Sequence, residues 1–477
     1  MSNERLPRGM IGITVMPEYY QDSSIDDVLE NLAGRARANA VTTSPYVMAP
    51  VAESKGQREP PIDAGAGKVR LLDRPLWGQR ELWVRTSPSF VADRSLYAEC
   101  PYQPPVADEL TASDGGIVGR FLDAAGETGI KTYLQVQAAI PPGYRVQFGG
   151  PREGDLPLMP NGKPPPNRVA ANASLAAVDV HSYQRALITD LVRQYPQVDG
   201  IRFDWPEYPP YEWDSIFTDF NPGVGHLAEG LGMDFEGIRA EVGRGYDLFS
   251  GAVEDSMVLD AIESTSASTL REWIESCSPL LADWLKLKRA LSDSLLRSFR
   301  KALDDSGRPD IELVAHAFPP PWSDLSGIDF SASADVVDHF CVKLYGMHWL
   351  MMLRSYADQL LARNSRLTEE VVLMALFRLF DVSEGNPPSS IDEVHYPSPG
   401  DPHPGEAIVR ERKIVAAGVL AGETPVVALE HGYGPLDDFT ERIETAYRAS
   451  QNRIWINRYG YLSDDKLSAI GGLPSGE

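Results

Sequence analysis

Eight short apolar segments separated by helical stretches predict a (β/α)₈ barrel. Two observations support that class over an open, doubly wound sheet. Most of the apolar segments leave through turns rich in aromatic residues and proline. No glycine-rich phosphate turn follows the first of them. The strands expected are Met10–Met16, Ala40–Thr43, Lys131–Gln137, Val198–Asp204, Ile311–Phe318, Asp338–Tyr345, Val426–Glu430 and Arg453–Tyr459.

The helices between them follow from capping and periodicity. Ser24–Arg37 carries Asp26 and Asp27 in its first turn, where the helix dipole favours them. Further helices are expected around Gly115–Thr128, His181–Gln194, Leu280–Leu303, Trp349–Leu361, Glu406–Ala421 and Asp437–Ala449. Thr368–Phe380 reads as strand or helix, and Thr368 as an N-cap followed by two acids favours helix. Two excursions break the rhythm and are expected to be insertions. Residues 49–112, rich in Pro and Gly and carrying Trp77, Trp83, Tyr97 and Tyr102, follow the second strand. Residues 209–308, mostly helical, follow the fourth. The whole chain, 1–477, then forms one barrel with no evident internal repeat. The 49–112 segment is expected to close one end of the cleft, which suits short substrates.

The net charge of −24 argues against nucleic acid or an anionic membrane as partner, since both require basic patches. No stretch approaches the roughly 20 apolar residues of a membrane span. The N-terminal residues lack the apolar core of a signal peptide. Cys100, Cys277 and Cys341 are odd in number and far apart, so neither a disulfide framework nor a zinc set is expected. A reducing, cytoplasmic setting fits this, and homo-oligomerisation is left open. With eight His and neither His-x-His nor His-Glu-x-x-His, no metal or other cofactor is implied.

The chemistry concentrates in Val198-Asp-Gly-Ile-Arg-Phe-Asp-Trp-Pro-Glu-Tyr208. Side chains alternate along a strand, so Arg202 and Asp204 share one face, and an Arg there can hold the carboxylate ionised. Glu207 follows Pro206, with Trp205, Tyr208, Tyr211 and Trp213 close by. Two carboxylates among aromatic surfaces are what cleavage of a glycosidic bond requires. The alternative is a buried Arg–Asp pair with a surface Glu beside it.

A barrel brings the carboxyl ends of its strands to one mouth. That mouth would gather Glu18, Tyr46, Gln135, Gln137, Arg202, Asp204, Glu207, His316, Lys343, Tyr345, Glu430, His431, Asn457 and Tyr459. Lys343, on an apolar strand with Tyr345, needs a carboxylate partner or a substrate. His316 reads equally as a site residue or a packed core histidine. Glu430 ends an apolar strand and opens a Gly-rich loop, so it could face Asp204 or Glu207 across the barrel. Its alternative is a salt bridge to Lys343 or Arg458. Trp205, Tyr208, Trp322, Tyr345 and Trp349 are candidates for stacking on sugar rings.

At these residues the chain resembles barrel glycoside hydrolases. Asp199-Gly-Ile-Arg-Phe-Asp204 resembles the fourth-strand motif Asp-Gly-x-Arg-x-Asp of the α-amylase clan. The longer form, with an aromatic and a Pro after the Asp, is similar to uncharacterised glycoside hydrolase-like barrels of bacteria. The resemblance implies Asp204 as nucleophile and Arg202 as its support. It departs at the fifth strand, where Ala315-His316-Ala317-Phe318-Pro319 replaces the expected acid, and at the seventh, where Glu430-His431 replaces a His-Asp pair. A different clan places an acid Glu after the fourth strand and a nucleophilic Glu on the seventh, which Glu207 and Glu430 also fit. The resulting expectation is a glycoside hydrolase acting on a small saccharide, oligosaccharide or glycoside, with Asp204, Glu207 and Glu430 as its carboxylates. The alternatives are a barrel that binds carbohydrate without cleaving it, and a sugar-acid lyase or isomerase built on Lys343, His316 and Glu430.

Overall fold

The computed structural model describes residues 9–62, 70–145, 149–167, 169–264 and 267–474. Its core is a closed barrel of eight parallel strands. In chain order these are β1 (Met10–Thr14), β2 (Ala40–Thr43), β3 (Lys131–Gln137), β4 (Gly200–Asp204), β5 (Glu312–Ala317), β6 (His339–Lys343), β7 (Val426–His431) and β8 (Arg453–Asn457). Each strand pairs with its sequence neighbours, and β1 closes on β8 with Met10 opposite Arg453. Helices separate consecutive strands, so the (β/α)₈ architecture is the one the sequence predicts.

Large and small side chains interlock to fill the barrel. Trp455 and Tyr133 meet edge to face inside it, with centroids 5.4 Å apart. Two glycines make room for them. A Cβ on Gly12 would lie 2.3 Å from the Trp455 ring, and one on Gly200 would lie 2.6 Å from the Tyr133 ring. Outward-facing residues pack on the helices, as Phe203 does by stacking on Phe299 at 4.4 Å. Phe299 belongs to a 27-residue helix, Pro279–Asp305, that Ser278 caps through its side chain and that has Pro279 in its first turn.

Two local readings change, and the helix favoured over 368–380 stands. The segment after β2 is not wholly irregular: Tyr46–Pro50, Gln57–Glu59 and Leu82–Pro88 form a three-stranded antiparallel sheet. The alternation of buried Leu82 and Val84 was hidden by the surrounding Pro and Gly. Residues 368–380 are helical, with Thr368 Oγ1 accepting the Val371 N–H at the N-terminus. The first strand stops at Thr14, because Pro17 begins a short helix that carries Glu18. Between β4 and β5 the described residues form five shorter helices before Pro279–Asp305. Among the described residues, no helix is long and apolar enough to cross a membrane.

Candidate active site at the carboxyl ends of the strands

Strands β4, β5 and β6 bring His316 and Lys343 onto Asp204. Asp204 Oδ1 accepts from His316 Nδ1 at 3.2 Å and lies 3.0 Å from Lys343 Nζ. The Asp204 side chain keeps 19% of its surface exposed, whereas Glu18, Glu207 and Glu430 are wholly buried. Of these carboxylates, Asp204 is the one a ligand can reach.

Trp205 then turns the chain. Its backbone is left-handed, with φ of 53°, which is unusual for a bulky residue. The turn sends Glu207 across to the β5 exit. There Glu207 Oε1 accepts the Phe318 N–H at 2.9 Å, and Oε2 accepts from Ser326 Oγ at 2.5 Å. Lys343 Nζ stands 4.0 Å from Glu207 Oε1. The two legs from Lys343 bound the separation of the Asp204 and Glu207 oxygens at about 7 Å. Rings of Phe318 (4.6 Å) and Trp205 (5.2 Å) enclose the ammonium group.

This geometry drives the two carboxyls apart in acidity. Burial would raise Asp204, but Lys343 and then His316 more than offset it and hold the group well below the usual carboxylate range. Burial dominates at Glu207 and pushes it up to about 7, against the opposing pull of Lys343, Ser326 and the Phe318 N–H. A proton on Glu207 Oε2 can be donated to Ser326 Oγ, whose own hydrogen then points to the Ser323 carbonyl at 3.3 Å. Burial, followed by the charge of Arg202, pushes His316 down to about 4, so its imidazole is neutral near pH 7. Its bond to Asp204 assigns the proton to Nδ1, leaving Nε2 buried without a partner among the described residues.

Arg202 does not act as expected. It lies one layer deeper, with its guanidinium 3.7 Å from the Trp455 ring centroid. Its polar contacts are Thr14 Oγ1 at 3.5 Å and Cys341 Sγ at 3.7 Å, and it makes no ion pair with Asp204. Two residues of strand rise separate the layers, and stacking on Trp455 holds the long side chain flat within its own. Lys343 and His316 take its place beside Asp204.

Glu430 is held from both sides. Arg410 Nη1 and Arg442 Nη1 each lie 2.8 Å from one of its oxygens, and both arginines also brace backbone carbonyls. The partners are neither Lys343 nor Arg458. Glu18 accepts from Tyr46 Oη at 2.9 Å and faces Arg145 at 3.6 Å. Arg145 also pairs with Glu59 of the three-stranded sheet, which Arg458 reaches at 2.9 Å.

Several expected sugar-stacking rings are packed into the core. Trp322 is fully buried between Trp349 and Phe380, and Trp349 is 2% exposed. Tyr208 is buried, with its hydroxyl donating to Asp219 at 2.8 Å and accepting the Leu175 N–H. Trp205 and Tyr345 lie nearer the mouth. The Tyr345 hydroxyl is 3.2 Å from Asn457 Nδ2, while Asn457 Oδ1 and Gln137 Oε1 have no hydrogen-bond partner among the described residues. Among the described residues, no group of three His, Cys, Asp or Glu is arranged to hold a metal ion.

The sequence reading missed Arg410, Arg442 and Ser326. Arg410 sits in a run, Arg410-Glu-Arg-Lys413, that looks like a solvated basic face. Val409, Arg410, Lys413, Ile414 and Ala417 are buried while Arg412 is exposed, so helical spacing carried the signal. Ser326 lies far along the chain from Glu207, and nothing local marks it.

No protein-family model and no curated protein matches the chain. Solved glycoside hydrolase barrels do resemble it. The catalytic domain of β-amylase from Paenibacillus polymyxa shares 9% identity at a TM-score of 0.45, covering 98% of this chain and 95% of that one. The β-galactosidase from Bacillus circulans sp. alkalophilus shares 11% identity at 0.47, covering 96% of this chain and 51% of the other. A Group IV chitinase from Ostrinia furnacalis shares 10% at 0.37, with 97% of each chain covered. The likeness is one of fold.

Proposed function

We propose that this barrel hydrolyses a glycosidic bond, with Asp204 as the ionised carboxylate and Glu207 as the proton donor. The observation that carries this reading is the opposed setting of the two groups around Lys343. One is held ionised and open to the mouth, and the other is buried with its pKa near 7. Two carboxyls driven apart by their surroundings supply an anion and an acid at one pH. Asp204 would attack the anomeric carbon or activate a water, and Glu207 would protonate the leaving oxygen. Lys343 would hold Asp204 charged, and His316 would fix its direction. Glu430 would brace the β7 exit through its two arginines. No cofactor is required for these steps.

The test is release of aryl alcohol from a panel of α- and β-glycosides, pyranosides and furanosides, by wild type, Asp204→Ala and Glu207→Gln. Turnover by wild type that both variants lose supports the assignment, and azide rescue of Asp204→Ala identifies the nucleophile. Turnover that survives Asp204→Ala overturns it.

The complete burial of Glu207 favours one second reading, a barrel that binds carbohydrate without cleaving it. Under that reading wild type releases nothing from any glycoside, yet a sugar perturbs the Trp205 fluorescence.

A further inference from the structure

The chain is strongly acidic, yet among the described residues neither Arg202 nor Arg70 has a carboxylate partner. Arg202 is fully buried, and its nearest polar partners are a hydroxyl and a thiol. A guanidinium keeps its charge in such a place. When Glu207 carries its proton, Asp204 alone faces both Lys343 and Arg202. An uncompensated charge in a low-dielectric cleft attracts a ligand of opposite sign.

The rim repeats the pattern with Arg70. This residue comes from the insertion after β2, and the chain beside it is tied to the β8 exit by the Asp73 and Arg74 N–H groups, which donate to the Gly460 carbonyl at 2.9 and 3.0 Å. Arg70 is 5% exposed and sits between the rings of Tyr433 (4.7 Å) and Tyr396 (5.0 Å). Nε donates to Tyr396 Oη at 3.2 Å, and Nη2 donates to the Pro397 carbonyl at 2.7 Å. These contacts fix the plane of the guanidinium and leave Nη1 with no partner among the described residues. The nearest carbonyl and hydroxyl give hydrogen bonds without charge neutralisation. From Arg70 a chain of rings leads inward, with Tyr433 on His431 at 3.8 Å and His431 against Tyr345 at 5.3 Å.

A rigid guanidinium with a free edge is a receptor for a planar or tetrahedral oxyanion. We propose that the mouth takes an acidic sugar, whose ring carries a carboxylate or a sulfate, and that Arg70 receives that anionic group. The proposal deepens the glycosidase reading and rests on it for the reaction, while the binding it describes can be measured without turnover.

The experiment is calorimetric titration of the wild-type chain with glucuronic acid, galacturonic acid and glucose 6-sulfate, beside glucose and galactose as neutral counterparts. It is repeated with Arg70→Gln, with Arg70→Lys and in 0.5 M salt. Acidic sugars are expected to bind at least about 10-fold more tightly than neutral ones. Arg70→Gln is expected to weaken them by roughly 10- to 100-fold, as for loss of a hydrogen bond to a charged group. Arg70→Lys should recover part of that loss, and salt should weaken the acidic ligands alone. Preference for the uronic acids over the sulfate identifies a carboxylate, and the reverse a sulfate.

Equal or tighter binding of neutral sugars overturns the proposal. So does an acidic preference that survives Arg70→Gln with an unchanged melting temperature, or binding by none of the five sugars. Should Arg70→Gln not fold, an acidic preference indifferent to salt and to Arg70→Lys is equally decisive against it. Nitrophenyl glycosides of the same sugars separate the two readings. Acidic binding without hydrolysis of any of them sinks the reaction but keeps the receptor. Hydrolysis of neutral glycosides alone does the opposite.

Discussion

Asp204 and Glu430 both end apolar strands on well-separated sides of one barrel, yet their surroundings differ in kind. Asp204 is held by side chains of the strands next to it, a compact ammonium and a neutral imidazole, which meet one oxygen and leave part of the group open. Glu430 is held by arginines from the helices on either side of its strand, one on each oxygen, and is closed. Strand neighbours orient a carboxylate at the mouth. Helix partners pull it back into the wall. Carboxylates at the same kind of strand end therefore stand in two settings, one partly open and one closed.

The largest expected effect on that contrast is at Asp204. Asp204→Ala should lower kcat by roughly 10⁴-fold, as read by steady-state kinetics. Glu207→Gln should cost about 10²–10⁴-fold, the span usual for a general acid, with the smaller loss on substrates whose leaving group needs no proton. Glu430→Ala should act on stability. It strands two buried guanidinium groups, and about 3–5 kcal/mol of unfolding free energy should be lost in a denaturant titration. A Glu430→Ala protein that melts normally but is inactive would erase the distinction drawn between the two sites.

Acidity sharpens the comparison. Turnover should fall as pH rises through about 7, where Glu207 loses its proton. Lys343→Met should move that limb to higher pH, because the ammonium lowers Glu207. Stability should respond too. Glu207 rises from 4.5 to about 7 on folding, so its contribution is full below 4.5 and is lost as pH climbs through 7. His316 falls from 6.5 to about 4, so its contribution is full above 6.5 and is lost as pH drops through 4. The two slopes oppose between about pH 4.5 and 6.5. Glu207→Gln should leave the His316 slope alone, giving melting temperatures that rise with pH across that window. The smallest effect is expected at Tyr208→Phe. It removes the hydroxyl bonded to Asp219 and should cost about 1–3 kcal/mol with KM unchanged.

The barrel was legible because strand and helix periods alternate along the whole chain, and local pattern records such periods well. Asp204 was legible for the same reason, as a charge ending an apolar strand. The identity of its partners was not. Arg202 shares its face but lies in another layer, and only barrel packing decides which cation reaches across. The inward turn of Arg410 and Lys413 was written in helical spacing, but a run of charges concealed it. Trp322 and Trp349 look like binding surfaces in a sequence because exposure is a property of the fold around them.

Barrel closure has a consequence for how the protein is made. Met10 finds its β8 partner Arg453 about 440 residues later, so at roughly 5–20 residues per second the first strand waits about 20 to 90 s for its second neighbour. Throughout that interval β1 has one free edge. A nascent chain in that condition is a natural client for a chaperone. Cells depleted of such help should accumulate aggregates of this protein before they lose any of its finished molecules.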